Sequence, residues 1–541
     1  MKNLMEQGTR CLLIQPKFSK FSSLNYVDVC KIVGAKYPIP PLGLMTVAAL
    51  LPQNWIFKLI DINVEPLRDE YFEWADIVCT GGMLSQQPGI ISIIDKAHRY
   101  GKKVVVGGPE PTSQPQLYQM ADYLVLGEGE NTIPAFLSDL EAGCNSGEYK
   151  SGELADMTEA VVPRFDLIRY ADYLMMGMQF SRGCPYNCEF CNVIELFGRK
   201  SRTKTVKQVM SELQYLYDLN YRGHVFFVDD NFLGNRKCVE ELLLSIGEWS
   251  KEHQYPFYFA AEATINLADD DCLLQMMKDV DFRFISIGIE TPEAAILKMA
   301  QKKQNINKPI TEIIKKIYSY GIVVDACFIL GFDNETEQTA SNMINCIQDA
   351  GICMAMVGTL FALPNTQLSR RLKKEGRLFE EGTTVRDIEN EIDQMSSGLN
   401  FITTRARLDI LRDYIKILET IYDPLNYYKR LSYMGLNLKR DNKHKPEFAK
   451  ILTMVTAFLK ICSKVGFSKS TGSLYWKMLF TILLKNPKAF ESAISLAAMY
   501  IHFAKHSQFI IKLINEKIKY IEHYGEENYN RFMLCKTSLP S

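Results

Sequence analysis

The chain opens on short apolar runs that alternate with amphipathic stretches. CLLIQP, FKLIDIN, DIVCTGG, KKVVVGG and YLVLGEGE read as strands, with helical stretches such as LGLMTVAALLP and GIISIIDKAHRYG between them. Strands buried on both faces need continuous apolar runs, so residues 1–145 are expected to form an α/β domain with a doubly wound parallel sheet. In open sheets of this kind ligands gather outside the carboxyl ends of the strands. The candidate ligand loops are therefore 15–16, 61–63, 81–87, 107–109 and 127–130, the last three rich in glycine.

Residues 146–171 are polar and weakly periodic, as a linker would be. The strand-then-helix rhythm resumes over 172–380. YLMMGMQFS, HVFFVDD, FYFAAEA, FISIGIE, IVVDACFIL and MAMVGTLFAL each precede a helical stretch, giving six βα units. Right-handed crossovers curl six such units into a partial barrel. Strand patterns cease near residue 405, and 381–541 is expected to be a helical region that closes over the substrate. Between Lys439 and Lys512 lysines far outnumber acids, which reads as a solvated face or as a surface that approaches an anionic partner such as a membrane.

Composition narrows the picture only slightly. The 541 residues are 47% hydrophobic and 23% charged, with a net charge of -1. That profile carries no bias toward nucleic acid, and no nucleic-acid partner is expected. The polar start MKNLMEQGTR shows no leader pattern, so a cytoplasmic protein is expected, with membrane contact only at the periphery. Of 14 cysteines, eleven are scattered, mostly in apolar segments, and read as small buried hydrophobes.

The other three, Cys184, Cys188 and Cys191, stand in SRGCPYNCEFCN as C-x3-C-x2-C, on a loop leaving the first barrel strand. A structural zinc site needs four ligands, and no second Cys or His pair stands at finger spacing. A ferredoxin-type cluster likewise takes a fourth cysteine. Three thiolates leave one iron of a 4Fe-4S cluster open, which suits a cluster that binds a substrate atom.

This motif, with the aromatic Phe190 just before the last cysteine, resembles the signature of the radical S-adenosylmethionine enzymes. The resemblance implies that the three cysteines hold the cluster, that S-adenosylmethionine binds the open iron, and that Phe190 lies near the adenine. It further implies contacts to S-adenosylmethionine from Asp229, Asp230 and Asn231 of VDDN, and from Glu262 and Glu290. CFILGFDNE resembles the family's adenine-binding stretch, with Ile329 and Gly331 kept and Cys327 in place of the first glycine. ALPNTQL, at 362–368, resembles its Pro-Gly-Thr stretch, with Asn365 in place of glycine.

The α/β domain ahead of the barrel resembles the cobalamin-binding domain of the B12-dependent members. The residues carried over are Gly82, Met83, Gln86, Gly107, Gly108, Pro109, Gly127, Glu128 and Gly129. D-x-H-x-x-G is absent and His98 is the only histidine before residue 200, so imidazole ligation of cobalt is not expected. CNVIELFGRKSRTKT, GHVFFVDDNF and SSGLNFIT resemble the branch that contains the hopanoid 2-methylase. Arg199, Lys200 and Arg202 lie beside the cluster loop, either to hold carboxylates or phosphates or simply as surface charge.

The resemblance implies methylation of an unactivated carbon of a lipid or other small molecule, with a 4Fe-4S cluster, S-adenosylmethionine, cobalamin and an external electron donor. A 5'-deoxyadenosyl radical would remove a hydrogen and methylcobalamin would supply the methyl group. The alternatives are a B12-dependent radical cyclase or rearrangement enzyme without net methylation, and a metal- or corrinoid-binding regulatory protein without turnover.

Overall fold

A computed structural model describes residues 8–19, 22–23, 25–379, 395, 397–444 and 448–535. Two six-stranded parallel sheets organise them. The first comprises β1 (Arg10–Gln15), β2 (Ile56–Asp61), β3 (Ile77–Gly81), β4 (Lys103–Gly107), β5 (Tyr123–Leu126) and β6 (Gly147–Lys150), in the order β2-β1-β3-β4-β5-β6. Leu12, Leu13 and Ile14, and likewise Val104 and Val106, are buried on both faces, as the continuous apolar runs require. The order reverses between β1 and β3, which opens a crevice at their carboxyl ends. β6 lies in the stretch expected to be a linker. Only Tyr149 among its residues is buried, so this edge strand shows no apolar run.

The second sheet is the partial barrel. Its strands are β7 (Met176–Met178), β10 (Gly223–Phe227), β11 (Phe257–Ala263), β12 (Phe282–Glu290), β13 (Val323–Leu330) and β14 (Met354–Thr359), ordered β14-β13-β12-β11-β10-β7. Between β7 and β10, a short antiparallel hairpin of β8 (Ser181–Arg182) and β9 (Arg202–Thr203) frames the cysteine loop. Alternation sorts the two faces: Val225, Phe227, Phe259, Ala261, Ile285 and Ile287 are buried under helices. Their sequence neighbours Phe226, Glu262 and Ser286, and likewise Cys327 on β13, stand in a less crowded interior.

Both edges of the barrel sheet are covered, which removes an open pairing surface. Beside β7, Leu174 and Met175 donate backbone hydrogen bonds to the carbonyls of Tyr37 and Pro38 in the first domain. Beside β14, the hydroxyls of Tyr414 and Tyr422 donate to the carbonyls of Val357 and Ala355. The C-terminal region is helical, with a long helix at Phe490–Tyr524. Arg440, buried, donates to the carbonyls of Gly321 and Arg283, at the amino ends of β13 and β12. The segment around Arg440 therefore covers the amino ends of β12 and β13, whereas Leu399 and Asn400 pack just past the carboxyl end of β14.

Candidate active site

The carboxyl ends of the two sheets face one another. Arg182, at the mouth of the cysteine loop, pairs with Glu128 at 3.1 Å and Glu130 at 2.8 Å, both just beyond β5. Arg202 pairs with Glu128 at 3.0 Å. On the far side Asn365, in the loop after β14, donates to the carbonyl of Ser113 in the helix after β4 at 3.0 Å. Contacts at both ends of the barrel sheet thus hold its mouth over the ligand end of the first domain.

The cysteine loop is folded by its own backbone. Gly183 has φ +88°, and a Cβ there would lie 2.6 Å from the carbonyl oxygen of Lys200, so glycine is required. Cys184 donates its amide to the carbonyl of Gly198 at 3.3 Å, and Cys191 to that of Cys188 at 3.2 Å. Glu189 anchors the loop from beneath through an ion pair with Arg371 at 2.5 Å. Phe190 meets Phe332 edge-on at 5.7 Å, which joins the loop to the stretch after β13.

Burial pushes the thiols of Cys184 and Cys188 up, and that of Cys191 up to about 12. Thiolates form here only against a strong positive centre, which is what iron supplies. Gln304 approaches Cys188 Sγ with its amide at 3.7 Å. Lys302 adds a cation beside the cysteines. Burial opposes its charge, but Glu290 and the thiols of Cys188 and Cys191 outweigh it and hold its pKa above the ordinary lysine value. Among the described residues no three His, Cys, Asp or Glu side chains converge tightly enough for a single metal ion. A 4Fe-4S cube gives each cysteine a separate iron and needs no such convergence.

Inside the barrel four carboxyl groups crowd together. Burial first, then Asp230, Asp325 and Asp229, push Glu262 up to about 8. Burial pushes Asp229 up to about 7 and Asp325 up to about 6, and raises Asp230. Glu262 is open to the interior space and makes no hydrogen bond or ion pair among the described residues. A cluster of carboxyls in which Glu262 has no partner among the described residues favours a cation, and S-adenosylmethionine carries both a sulfonium and an ammonium.

In the first domain Met83 stands 37% exposed at the tip after β3. Gly127 has open space where a Cβ would lie, and Gly108 and Pro109 lead into the helix after β4. Gly107 approaches the carbonyl of Val125 so closely that a Cβ would come within 2.6 Å. Gly82 packs on Gln86, and Gly129 begins the helix after β5. The result is a side-chain-poor crevice that fits a large planar corrin.

The structure redirects several expected contacts. Glu128 is buried and committed to Arg182, Arg202 and the amide of Ala155, so its carboxylate is taken up in tying the domains together. The basic run beside the cluster loop does hold a carboxylate, but that carboxylate is Glu128. Gln86 is buried and donates to the carbonyl of Pro16 at 2.7 Å, which braces β1 against β3. Asp229 accepts from the amides of Phe180 and Ser181, so it fixes the strand that enters the cysteine loop. Asn231 caps the turn at Phe232–Gly234. Glu290 forms a buried ion pair with Lys302, so its carboxylate already has a cationic partner within the protein. Gly331 and Phe332 donate to Glu335, and Ile329 faces the interior.

Sequence reasoning missed Lys302, Gln304, Arg182 and Asp325, and placed Glu130 only within a candidate ligand loop. Asp325 had a signal, since IVVDACFIL is otherwise apolar. Lys302 had none, because QKKQN looks like any solvated turn.

Residues 31–137 match the B12 binding domain, 178–347 the radical SAM superfamily, and 366–516 a domain of unknown function. The chain is 37% identical over 533 residues to an uncharacterised methyltransferase of Synechocystis sp., covering 98% of each chain. It is 32% identical to the hopanoid C-2 methylase of Rhodopseudomonas palustris, covering 89% of this chain and 90% of that one. The chain belongs to the cobalamin-dependent radical S-adenosylmethionine methyltransferases. The fold of this methyltransferase is also that of TsrM from Kitasatospora setae, solved with cobalamin and a 4Fe-4S cluster bound. The TM-score is 0.59 at 14% identity, over 84% of this chain and all of that one. The methyltransferase accordingly uses a 4Fe-4S cluster, S-adenosylmethionine and cobalamin.

Proposed function

We propose that this methyltransferase alkylates an unactivated carbon of a polycyclic, hopanoid-like lipid, with Cys184, Cys188 and Cys191 as the cluster ligands. When bound, the cluster and S-adenosylmethionine supply a hydrogen-abstracting radical, and cobalamin supplies the methyl group. An external donor provides the electron. The residues do the positioning. Gly183 and the β8–β9 hairpin fold the cysteine loop, Lys302 offsets its negative charge, and Glu262 offers the cationic co-substrate a carboxylate. Arg182 holds the two mouths in register so that a substrate between them reaches both reacting groups.

The observation that carries this reading is the face-to-face arrangement of the two ligand ends through Arg182, Arg202 and Asn365. The lipid class is supported by likeness to the hopanoid C-2 methylase along most of both chains. Among the described residues no helix is long and apolar enough to cross a membrane, so a membrane-resident substrate would be met from the surface. The test is anaerobic turnover with a pentacyclic hopanoid, a linear isoprenoid and free tryptophan offered side by side. Methylated hopanoid alone is expected; methylation of tryptophan or of neither lipid contradicts the substrate class.

A further inference from the structure

We infer that the face built by the Phe448–Ile461 and Gly472–Lys485 helices docks on an anionic lipid bilayer. The inference deepens the lipid-substrate reading by naming the surface that meets the membrane. Single exposed apolar side chains are ordinary, but a concentration of them in one short stretch of chain is not. Nine of the seventeen large hydrophobic side chains exposed among the described residues lie between 451 and 484. Leu452, Val455 and Leu459 project from the first helix. Phe480 and Leu484 stand one turn apart on the second, with Leu484 83% exposed, and Phe467 in the connection is 78% exposed.

Aromatic rings reinforce this face. Trp476 lies between Phe467, edge-on at 6.3 Å, and Phe480, stacked at 6.0 Å. Its indole N–H donates to the carbonyl of Gly466 at 3.0 Å, so its polar atom is satisfied. An aromatic with its polar atom engaged and its body at the surface suits the boundary between headgroups and acyl chains.

Charge decides which partner fits. From 448 to 485 there are six lysines and no Asp or Glu, in a chain whose net charge is -1. Lys464, Lys469, Lys477 and Lys485 are exposed and form no ion pair among the described residues. A second copy would bring two such lysine-bearing faces together, whereas an anionic headgroup layer neutralises them above an apolar layer that accepts the hydrophobic side chains. The surface also adjoins the first domain, where Lys460 donates to the carbonyl of Ile32 in the Val27–Val33 helix.

The test is co-sedimentation of the full-length, cofactor-loaded protein with phosphatidylglycerol-containing vesicles and with pure phosphatidylcholine vesicles, at low and high salt. Preferential binding to the anionic vesicles, weakened by salt, is expected. Each lysine near the surface is worth roughly fivefold in affinity, so the double variant Lys477→Glu/Lys485→Glu should bind at least tenfold more weakly. Phe480→Glu/Leu484→Glu should do the same while keeping iron and cobalamin content. Equal binding to neutral vesicles, absence of binding, undiminished binding by both variants, or a dimer that these variants split into monomers would each overturn the assignment. Methyl transfer to detergent-dispersed hopanoid tests the substrate class separately. Its failure with vesicle binding intact removes that class and leaves the docking surface standing.

Discussion

Arg182 sits two residues before Cys184, the first of the proposed cluster ligands, and holds Glu130 of the other domain at 2.8 Å. Burial opposes the charge of Arg182, yet Glu130 and Glu128 keep its pKa above the ordinary arginine value. A latch here joins the segment that carries the cluster to the helix that follows β5. Displacement of a bound group by about 1 Å costs up to roughly a hundredfold in rate. Arg182→Ala is therefore expected to make 5'-deoxyadenosine at close to the normal rate while methylated product falls at least tenfold. Measuring the two products in one reaction checks this, since simple misfolding would lower both together.

Glu262 yields a pH signature. Its carboxyl, raised to about 8 by burial and by Asp230, Asp325 and Asp229, is mostly protonated at pH 7 and must lose its proton to pair with a cation. Binding of S-adenosylmethionine should thus release a proton near pH 7, and affinity should rise from pH 6 to pH 9. Glu262→Gln should bind more weakly at pH 9 and lose that rise. Calorimetry in two buffers of different ionisation enthalpy measures the proton.

Gly183 tests the loop. A methyl group there meets the carbonyls of Lys200 and Phe197 at 2.6 and 2.8 Å, in a backbone conformation that costs a non-glycine residue about 1–2 kcal/mol before any clash. Gly183→Ala should fold, as judged by circular dichroism, yet bind less than half the iron of the wild type. Iron and sulfide analysis after anaerobic reconstitution decides it.

Lys302 and Glu290 form a buried pair beside the cysteines. Removing one partner leaves an unpaired buried charge, so Lys302→Met should destabilise the apo-protein by about 3 kcal/mol. Lys302→Met/Glu290→Leu should recover most of that loss. The double variant loses both charges, but Lys302 acts on Cys188 more strongly than Glu290 does, so its reduction potential should be more negative than that of the wild type. Denaturant melts and spectroelectrochemistry provide the two readings.

Much of this architecture was legible because parallel strands need unbroken apolar runs and the cysteine spacing is specific to its chemistry. VVVGG and YLVLGEGE announced β4 and β5, and IVVDACFIL announced β13. GEYK did not announce β6, since an edge strand with one buried side chain has no pattern to show. The cysteine motif could be read, but not what surrounds it. Glu128 resembled a ligand because it follows a glycine at a strand end, and only the approach of Arg182 and Arg202 from a distant segment reveals its use. Lys302 was hidden because burial, rather than residue type, distinguishes it from the surface lysine beside it.

The most direct test of the division of labour between the two domains follows one methyl group. Reconstituted protein is reduced with cobalamin bound, given S-adenosylmethionine labelled in its methyl group, and offered a pentacyclic hopanoid. The label is expected first on the bound cobalamin and then on a carbon of the lipid, with 5'-deoxyadenosine formed alongside. Formation of 5'-deoxyadenosine with an unlabelled, rearranged product, or labelled lipid from protein stripped of cobalamin, would contradict the account.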